Sequence, residues 1–148
     1  MTPLYFERQL LLANRALWIV FAILVPTMTV ATLDSGEAAG ALLTTLAIVG
    51  FVAAMRMNTT VTMDAVQLRY RPFFWRNVPL ADIESATAVE FRPIRDWGGW
   101  GLRGLGRRKA WTTHGNRGVK LVLRDGRELT VGSQRPEALA AVLGTLIT

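Results

Sequence analysis

The stretch Ala16 to Leu33 reads ALWIVFAILVPTMTVATL, and beyond Asp34-Ser35-Gly36-Glu37 the chain resumes as AAGALLTTLAIVGFVAAM from Ala38 to Met55. Each run is 18 residues without a charge. A helix of that length reaches about 27 Å, close to the roughly 30 Å of bilayer hydrocarbon. Neither run carries the charges at every third or fourth position that a soluble surface helix shows. Both are therefore expected to be transmembrane helices, spanning about 16–33 and 38–55. The short linker of turn-forming and helix-starting residues makes them antiparallel neighbours. Pro26 is expected to kink the first helix, which lipid-embedded helices tolerate. A cleaved signal peptide fits less well, because its apolar region is usually about 7 to 15 residues and no second span follows it.

Working outward, charge divides the chain into two parts. Residues 1–55 hold Arg8 and Arg15 against Glu7, Asp34 and Glu37, net −1, whereas residues 56–148 hold 15 basic and eight acidic groups, net +7. The arginines flank the outer ends of the two runs and the linker carries only acid. The positive-inside rule then puts both termini in the cytoplasm, for a multi-pass protein of the cell membrane. The N-terminal segment, with Tyr5 among its apolar residues, reads either as an interfacial stretch or as an inward extension of the first helix. Tyr5 and Trp18 suit the headgroup belt.

Composition removes several function classes. The 148 residues are 51% hydrophobic and 19% charged, with net charge +6, too apolar for a disordered basic tail. Without cysteine there is no disulfide framework, thiol nucleophile, cysteine-ligated zinc or iron–sulfur cluster. His114 is the single histidine, flanked by Thr113 and Gly115, and reads as a loop or strand-end residue.

After Met57 the pattern becomes alternating. Thr59, Val61 and Met63 face one way, Asp64-Ala65 makes a turn, and Val66, Leu68 and Tyr70 return, a hairpin pairing Met63 with Val66 and Val61 with Leu68. Pro72 and Pro79 bracket an extended segment, Asp82 to Ser85 suits a helical turn, and Thr87, Val89 and Phe91 alternate again. In GVKLVLRDGRELTVG, from Gly118 to Gly132, a three-residue loop Arg124-Asp125-Gly126 opposes Leu121 to Leu129 and Val119 to Val131, keeping the apolar residues on one face. Leu139, Val142, Leu143 and Leu146 then follow helical spacing, for an amphipathic helix over 134–147 with Ser133 as its cap.

The expected class is thus α+β. A first unit, 1–56, holds the N-terminal segment and the transmembrane hairpin, and a second, 57–148, is a cytoplasmic antiparallel β-barrel capped by the C-terminal helix. At Val78-Pro79-Leu80-Ala81-Asp82-Ile83-Glu84-Ser85, at the hairpin Gly118 to Gly132 and at Pro136-Glu137-Ala138-Leu139, the second unit resembles bacterial pleckstrin-homology-like (PH-like) domains of small membrane proteins. The resemblance implies a seven-stranded barrel with a C-terminal helix and a binding role without catalytic residues. Phosphoinositide-binding members carry several basic residues along the first two strands; here that region offers Arg69 and Arg71, so phosphoinositide binding is not implied.

Gly99-Trp100-Gly101-Leu102-Arg103-Gly104 matches a dinucleotide-binding fingerprint in letters, but no strand precedes it and no helix is expected after it. Asn58-Thr59-Thr60 fits a glycosylation sequon on the wrong side of the membrane. Asp82, Glu84 and Glu90 are close enough in sequence to seed a metal or acid–base pair, yet such spacing is ordinary in a solvated turn. No cofactor, no metal and no catalytic residue is expected, hence no enzyme.

The informative segment is Arg95 to Lys120. Trp97, Trp100 and Trp111 interleave with Arg103, Arg107, Arg108 and Lys109 among six glycines from Gly98 to Gly115. These seven Trp, Arg and Lys residues are the candidate site, a loop docking on a protein partner, on copies of the chain, or on the anionic membrane surface. In the competing reading, Trp97 and Trp100 plug the barrel end. Nucleic acid is not expected, since no recognition helix accompanies the basic residues. The leading function is a non-enzymatic, membrane-anchored PH-like interaction module. The alternative is a small subunit of an oligomeric transporter or channel, drawing on Thr44 and Thr45 in the second span.

Overall fold

The computed structural model describes residues 3–33 and 36–147. Strand β1 (Tyr5–Leu10) and a 3-10 turn (Leu11–Ala13) precede helix α1 (Arg15–Leu33) and helix α2 (Ala38–Ala54). Strands β2 (Arg56–Val61), β3 (Ala65–Arg71) and β4 (Phe74–Pro79) follow, then a 3-10 turn (Leu80–Asp82), β5 (Ile83–Glu90) and the short helix α3 (Pro93–Trp97). Strands β6 (Gly101–Arg103), β7 (Arg108–Thr112), β8 (Arg117–Leu123) and β9 (Glu128–Gly132) lead to helix α4 (Pro136–Ile147). The Asp34-Ser35 part of the expected inter-helix turn lies outside the described residues.

The N-terminal segment is neither interfacial nor a helix extension. It is a strand, paired antiparallel with β2 from Tyr5 opposite Val61 to Leu10 opposite Arg56. The two apolar helices are therefore an insertion between adjacent strands of one sheet, and the β unit takes residues from both sides of the 1–56 boundary. Because α1 leaves the end of β1 and α2 returns to the start of β2, the helices run antiparallel. Helix α1 continues through Pro26 and is long and apolar enough to cross a membrane over Arg15–Thr32. Helix α2 has 17 residues, one short of the expected run, because Met55 turns extended to enter β2.

The strands form two sheets, one of order β1-β2-β3-β4 and one of order β5-β8-β9-β7-β6. The α+β class is as expected, but the antiparallel barrel is corrected to two separate sheets. Among the described residues no ladder joins the sheets, and β7 pairs parallel with β9. The region 98–112 supplies β6 and β7, which extend the second sheet at its edge instead of closing it. Between the sheets lie Met57, Val61, Val66, Leu68, Val119, Leu121, Leu129 and Val131, and Leu139 and Leu143 of α4 join the same core.

Two registers test the alternation argument. In the β8–β9 hairpin, Leu121 opposes Leu129 and Val119 opposes Val131, with a three-residue loop and Gly126 at φ 79°, as expected. In the β2–β3 hairpin, Val61 opposes Val66 and Thr59 opposes Leu68. The expected pairing is off by two residues because Thr62 closes the turn, its backbone N–H and hydroxyl both donating to the Ala65 carbonyl (3.0 and 3.1 Å), which leaves Met63 exposed at the tip. The helical turn begins at Leu80, ahead of the expected Asp82. On β5 the alternation is inverted: Ala86 and Ala88 oppose Leu121 and Val119, and Ala86 packs on the core while Thr87 is exposed. Helix α4 starts at Pro136, two residues later than expected.

Gly118 and Gly132 face each other at the end of the β8–β9 ladder. A Cβ on Gly118 would stand 2.3 Å from the Val131 carbonyl oxygen, a backbone atom that cannot yield without breaking the ladder. Gly118→Ala should cost about 1–3 kcal/mol and lower the melting temperature of the purified protein, whereas Gly40→Ala, with nothing within 4 Å of its Cβ, should leave it unchanged or raised.

Candidate functional site

The basic segment is a built arm, not an open loop. Pro93 starts α3, the Asp96 carboxylate accepts the Arg92 N–H (2.7 Å), and Gly98 ends the helix at φ 70°. The chain then reverses through β6 and β7, paired from Gly101 opposite Thr112 to Arg103 opposite Ala110. Gly104 makes the tight approach at the turn: at φ +92°, a Cβ there would lie 2.3 Å from the Arg108 carbonyl oxygen. At the tip Leu105 is 93% exposed.

The three indoles have separate fates. Trp111 is buried with Ala110 and Thr112 at the end of β7 and belongs to the core cluster, so its ring does not stand on the surface that the docking reading needs. Trp100 is half-buried and its Nε1 donates to the Gly115 carbonyl (2.8 Å). Trp97 carries the Arg108 guanidinium 5.5 Å above its ring, and Arg108 also pairs with Glu128 at 3.2 Å. Arg103 donates to the Trp100 carbonyl (3.1 Å). The site residues brought together are thus Trp97 with Arg108 and Trp100 with Arg103. Arg107 and Lys109 are exposed on the same arm as Leu105, and the Arg107 guanidinium reaches the β8–β9 turn, 3.6 Å from where a Cβ on Gly126 would stand.

A polar seam that sequence reasoning did not find joins β1 to the far end of the chain. Glu7 is buried, and its Oε2 accepts from the Tyr5 hydroxyl (2.5 Å) and the Ser133 hydroxyl (2.6 Å). Its Oε1 accepts from Gln9 Nε2 (2.9 Å) and the Gln134 N–H (2.7 Å). Gln9 Nε2 also donates to the Gly132 carbonyl (2.8 Å), and the Thr113 hydroxyl donates to Gln9 Oε1 (2.6 Å). Asn14 completes the seam at the start of α1. Its Nδ2 donates to the Thr113 carbonyl (3.1 Å), while its Oδ1 caps α1 by accepting the Ala16 N–H (3.0 Å). The signal for β1 was the alternation of Tyr5, Glu7 and Gln9 against Phe6, Arg8 and Leu10, but here the polar set faces inward.

Burial, and then the hydrogen bond to Glu7, pushes the Tyr5 hydroxyl up to about 12. Burial lowers the His114 value, with Glu7 opposing; the ring nitrogen Nδ1 lies 3.1 Å from the Thr113 hydroxyl. Gly99 to Gly104 follow a helix and contain β6, so they lack the strand-to-helix turn that holds a dinucleotide. Asp82 ends a 3-10 turn, and Glu84 and Glu90 are exposed on β5. Among the described residues no three His, Asp or Glu side chains are grouped to hold a metal ion.

Compared with known protein families and with curated proteins, the chain matches none.

Tyr5 offers a direct readout of the seam. Its folded value lies above the unfolded 10.0, so its contribution to stability is present below pH 10 and is lost as pH rises through about 12. In a Tyr70→Phe background, ultraviolet titration should give a phenolate midpoint near 12, and Glu7→Gln should lower it. A midpoint at the ordinary value of about 10 in the unmodified seam would contradict the burial of Tyr5.

Proposed function

We propose that the chain is a non-enzymatic, membrane-anchored interaction module, in which α1 and α2 cross the cell membrane as a hairpin and the PH-like β unit stands on the cytoplasmic side with both termini. The observation that carries this reading is the unpartnered apolar surface of the helices. Ile19, Ile23, Val30, Leu42, Leu43 and Leu46 are exposed, far beyond what a soluble monomer leaves in contact with water. A core hairpin of a soluble protein would bury these side chains. The second helix, at 17 residues, reaches about 26 Å, within the range that a locally thinned bilayer accommodates.

The arm β6–β7 supplies the recognition surface. Arg107 and Lys109 are exposed on the same arm as Leu105, Arg103 is held at its base by the Trp100 carbonyl, and the Gly104 approach keeps the turn tight. An exposed apolar side chain on a cationic arm fits an acidic protein surface with one small apolar pocket, where charge sets the rate of encounter and the leucine anchors the complex. The reading of a transporter or channel subunit gains no such support. The groove between α1 and α2 is lined by apolar side chains with Thr44 and Thr45, and the Thr44 hydroxyl is taken up by the Gly40 carbonyl (2.9 Å).

Because the chain has no cysteine, single-cysteine variants report topology cleanly. Gly36→Cys should react with a membrane-impermeant maleimide from outside intact cells, and Lys109→Cys only after the membrane is opened; reaction of both from one side would overturn the hairpin. A photo-crosslinker at Leu105 should yield protein adducts in native membranes that are lost in Arg103→Glu/Arg107→Glu/Lys109→Glu. Adducts unchanged by charge reversal would overturn the role of the arm.

A further inference from the structure

Resting on the reading that α1 and α2 span the membrane, we infer that the β3–β4 hairpin is a second membrane contact. Phe73, Phe74 and Trp75 enter the headgroup boundary of the cytoplasmic leaflet, and Arg69 and Arg71 bind anionic lipid phosphate. The three aromatics are consecutive at the hairpin and 64%, 53% and 78% exposed. A folded domain does not leave such a run in water without a use.

Their position relative to the helices identifies the occupant. The Phe73 ring lies 6.1 Å from that of Phe51, and Phe51 stands three residues before the end of α2 at Ala54. That is about 4.5 Å along the axis from the helix end, the depth where headgroups meet acyl chains. The hairpin is therefore continuous with the lipid-facing surface of the hairpin of helices. The Trp75 indole, apolar with one polar N–H, favours this zone, and the two phenylalanine rings supply apolar area to its acyl side.

Charge on the same sheet points to the lipid class. Along β1 to β4, Arg8, Asn58, Arg69 and Trp75 lie side by side in register, and Arg56 opposes Arg71 in the row nearer the membrane. The outward positions of these strands carry four arginines and no carboxylate. Among the described residues, none of the four has an acidic partner. Arg69, Arg71, Phe74 and Trp75 border one shallow cleft, so a phosphate between the two guanidinium groups would have its acyl chains directed along the aromatics.

The test uses the full chain in lipid nanodiscs. Trp75 emission, taken as the difference between wild type and Trp75→Phe, should be quenched by brominated acyl chains most strongly at shallow bromine positions. Spin-labelled phosphatidylglycerol should associate in preference to phosphatidylcholine, and Arg69→Gln/Arg71→Gln should reduce that preference by up to about fivefold per arginine without changing the melting temperature. Trp75 left unquenched in protein whose helices are embedded overturns the contact, whether water or a second protein covers the residue. Quenching without headgroup preference overturns the role of the arginines. Protein that fails to enter nanodiscs, or is stripped from vesicles by carbonate, overturns the spanning reading itself and is distinguishable from both.

Discussion

A carboxylate with four donors holds the molecule together. Glu7 is buried on the inner face of β1, where a carboxylate without partners would cost several kcal/mol, a large part of a domain's margin of stability. It is tolerated because Tyr5, Gln9, Ser133 and the Gln134 N–H all donate to it. Removing one donor leaves a buried acceptor short of a partner, at about 1–3 kcal/mol each. The seam joins residues separated by more than 120 positions, so it ties the strand before the helices to the junction of β9 and α4. Besides the seam, β1 has the ladder to β2 and the Arg135 side chain, which donates to the Phe6 carbonyl and lies over the Tyr5 ring, so the seam is what satisfies the polar side chains that this edge strand turns toward the core.

The consequence for the helices is mechanical. They leave and re-enter the same sheet through adjacent strands, and Asn14 caps α1 with one end of its side chain while the other end holds the Thr113 carbonyl. Thr113 in turn holds Gln9. The start of α1 is thereby fixed to both sheets, and the β unit is held in a set orientation at the helix ends instead of swinging on a linker. That orientation is what brings the aromatic tip of β3–β4 beside α2.

Much of this was legible in the sequence where side-chain chemistry and position agree. The two uncharged runs gave both helices to within a residue or two, because an apolar run of 18 residues is far longer than a strand and its Thr and Gly residues do not break a helix. The Arg124-Asp125-Gly126 loop and the leucine and valine alternation gave the β8–β9 register, and the spacing of Leu139, Val142, Leu143 and Leu146 gave α4. Failures came where tertiary partners override local pattern. The inward face of β1 is Tyr-Glu-Gln, polar for a reason that lies beyond residue 112. Trp111 looked like part of a flexible basic loop because β6 is three residues long and glycine-flanked, so nothing local marked β7 as a strand. The aromatic residues 73–75 were legible as a strand start, but their exposure depends on which face the sheet turns toward α2.

The most direct test of the account is whether β1 pairs with β2 across the inserted helices. The cysteine-free chain allows Arg8→Cys/Asn58→Cys, a directly opposed pair whose Cβ atoms in such a ladder lie about 4.5–5.5 Å apart, near disulfide range. Mild oxidation of this variant, followed by cleavage at a protease site engineered between α1 and α2, should leave the two fragments linked until reduced, as should the hairpin control Asn58→Cys/Arg69→Cys with its cleavage site at Met63. Linkage in the control but none between positions 8 and 58 would contradict the placement of β1, and with it the fixed seating of the β unit on the helices.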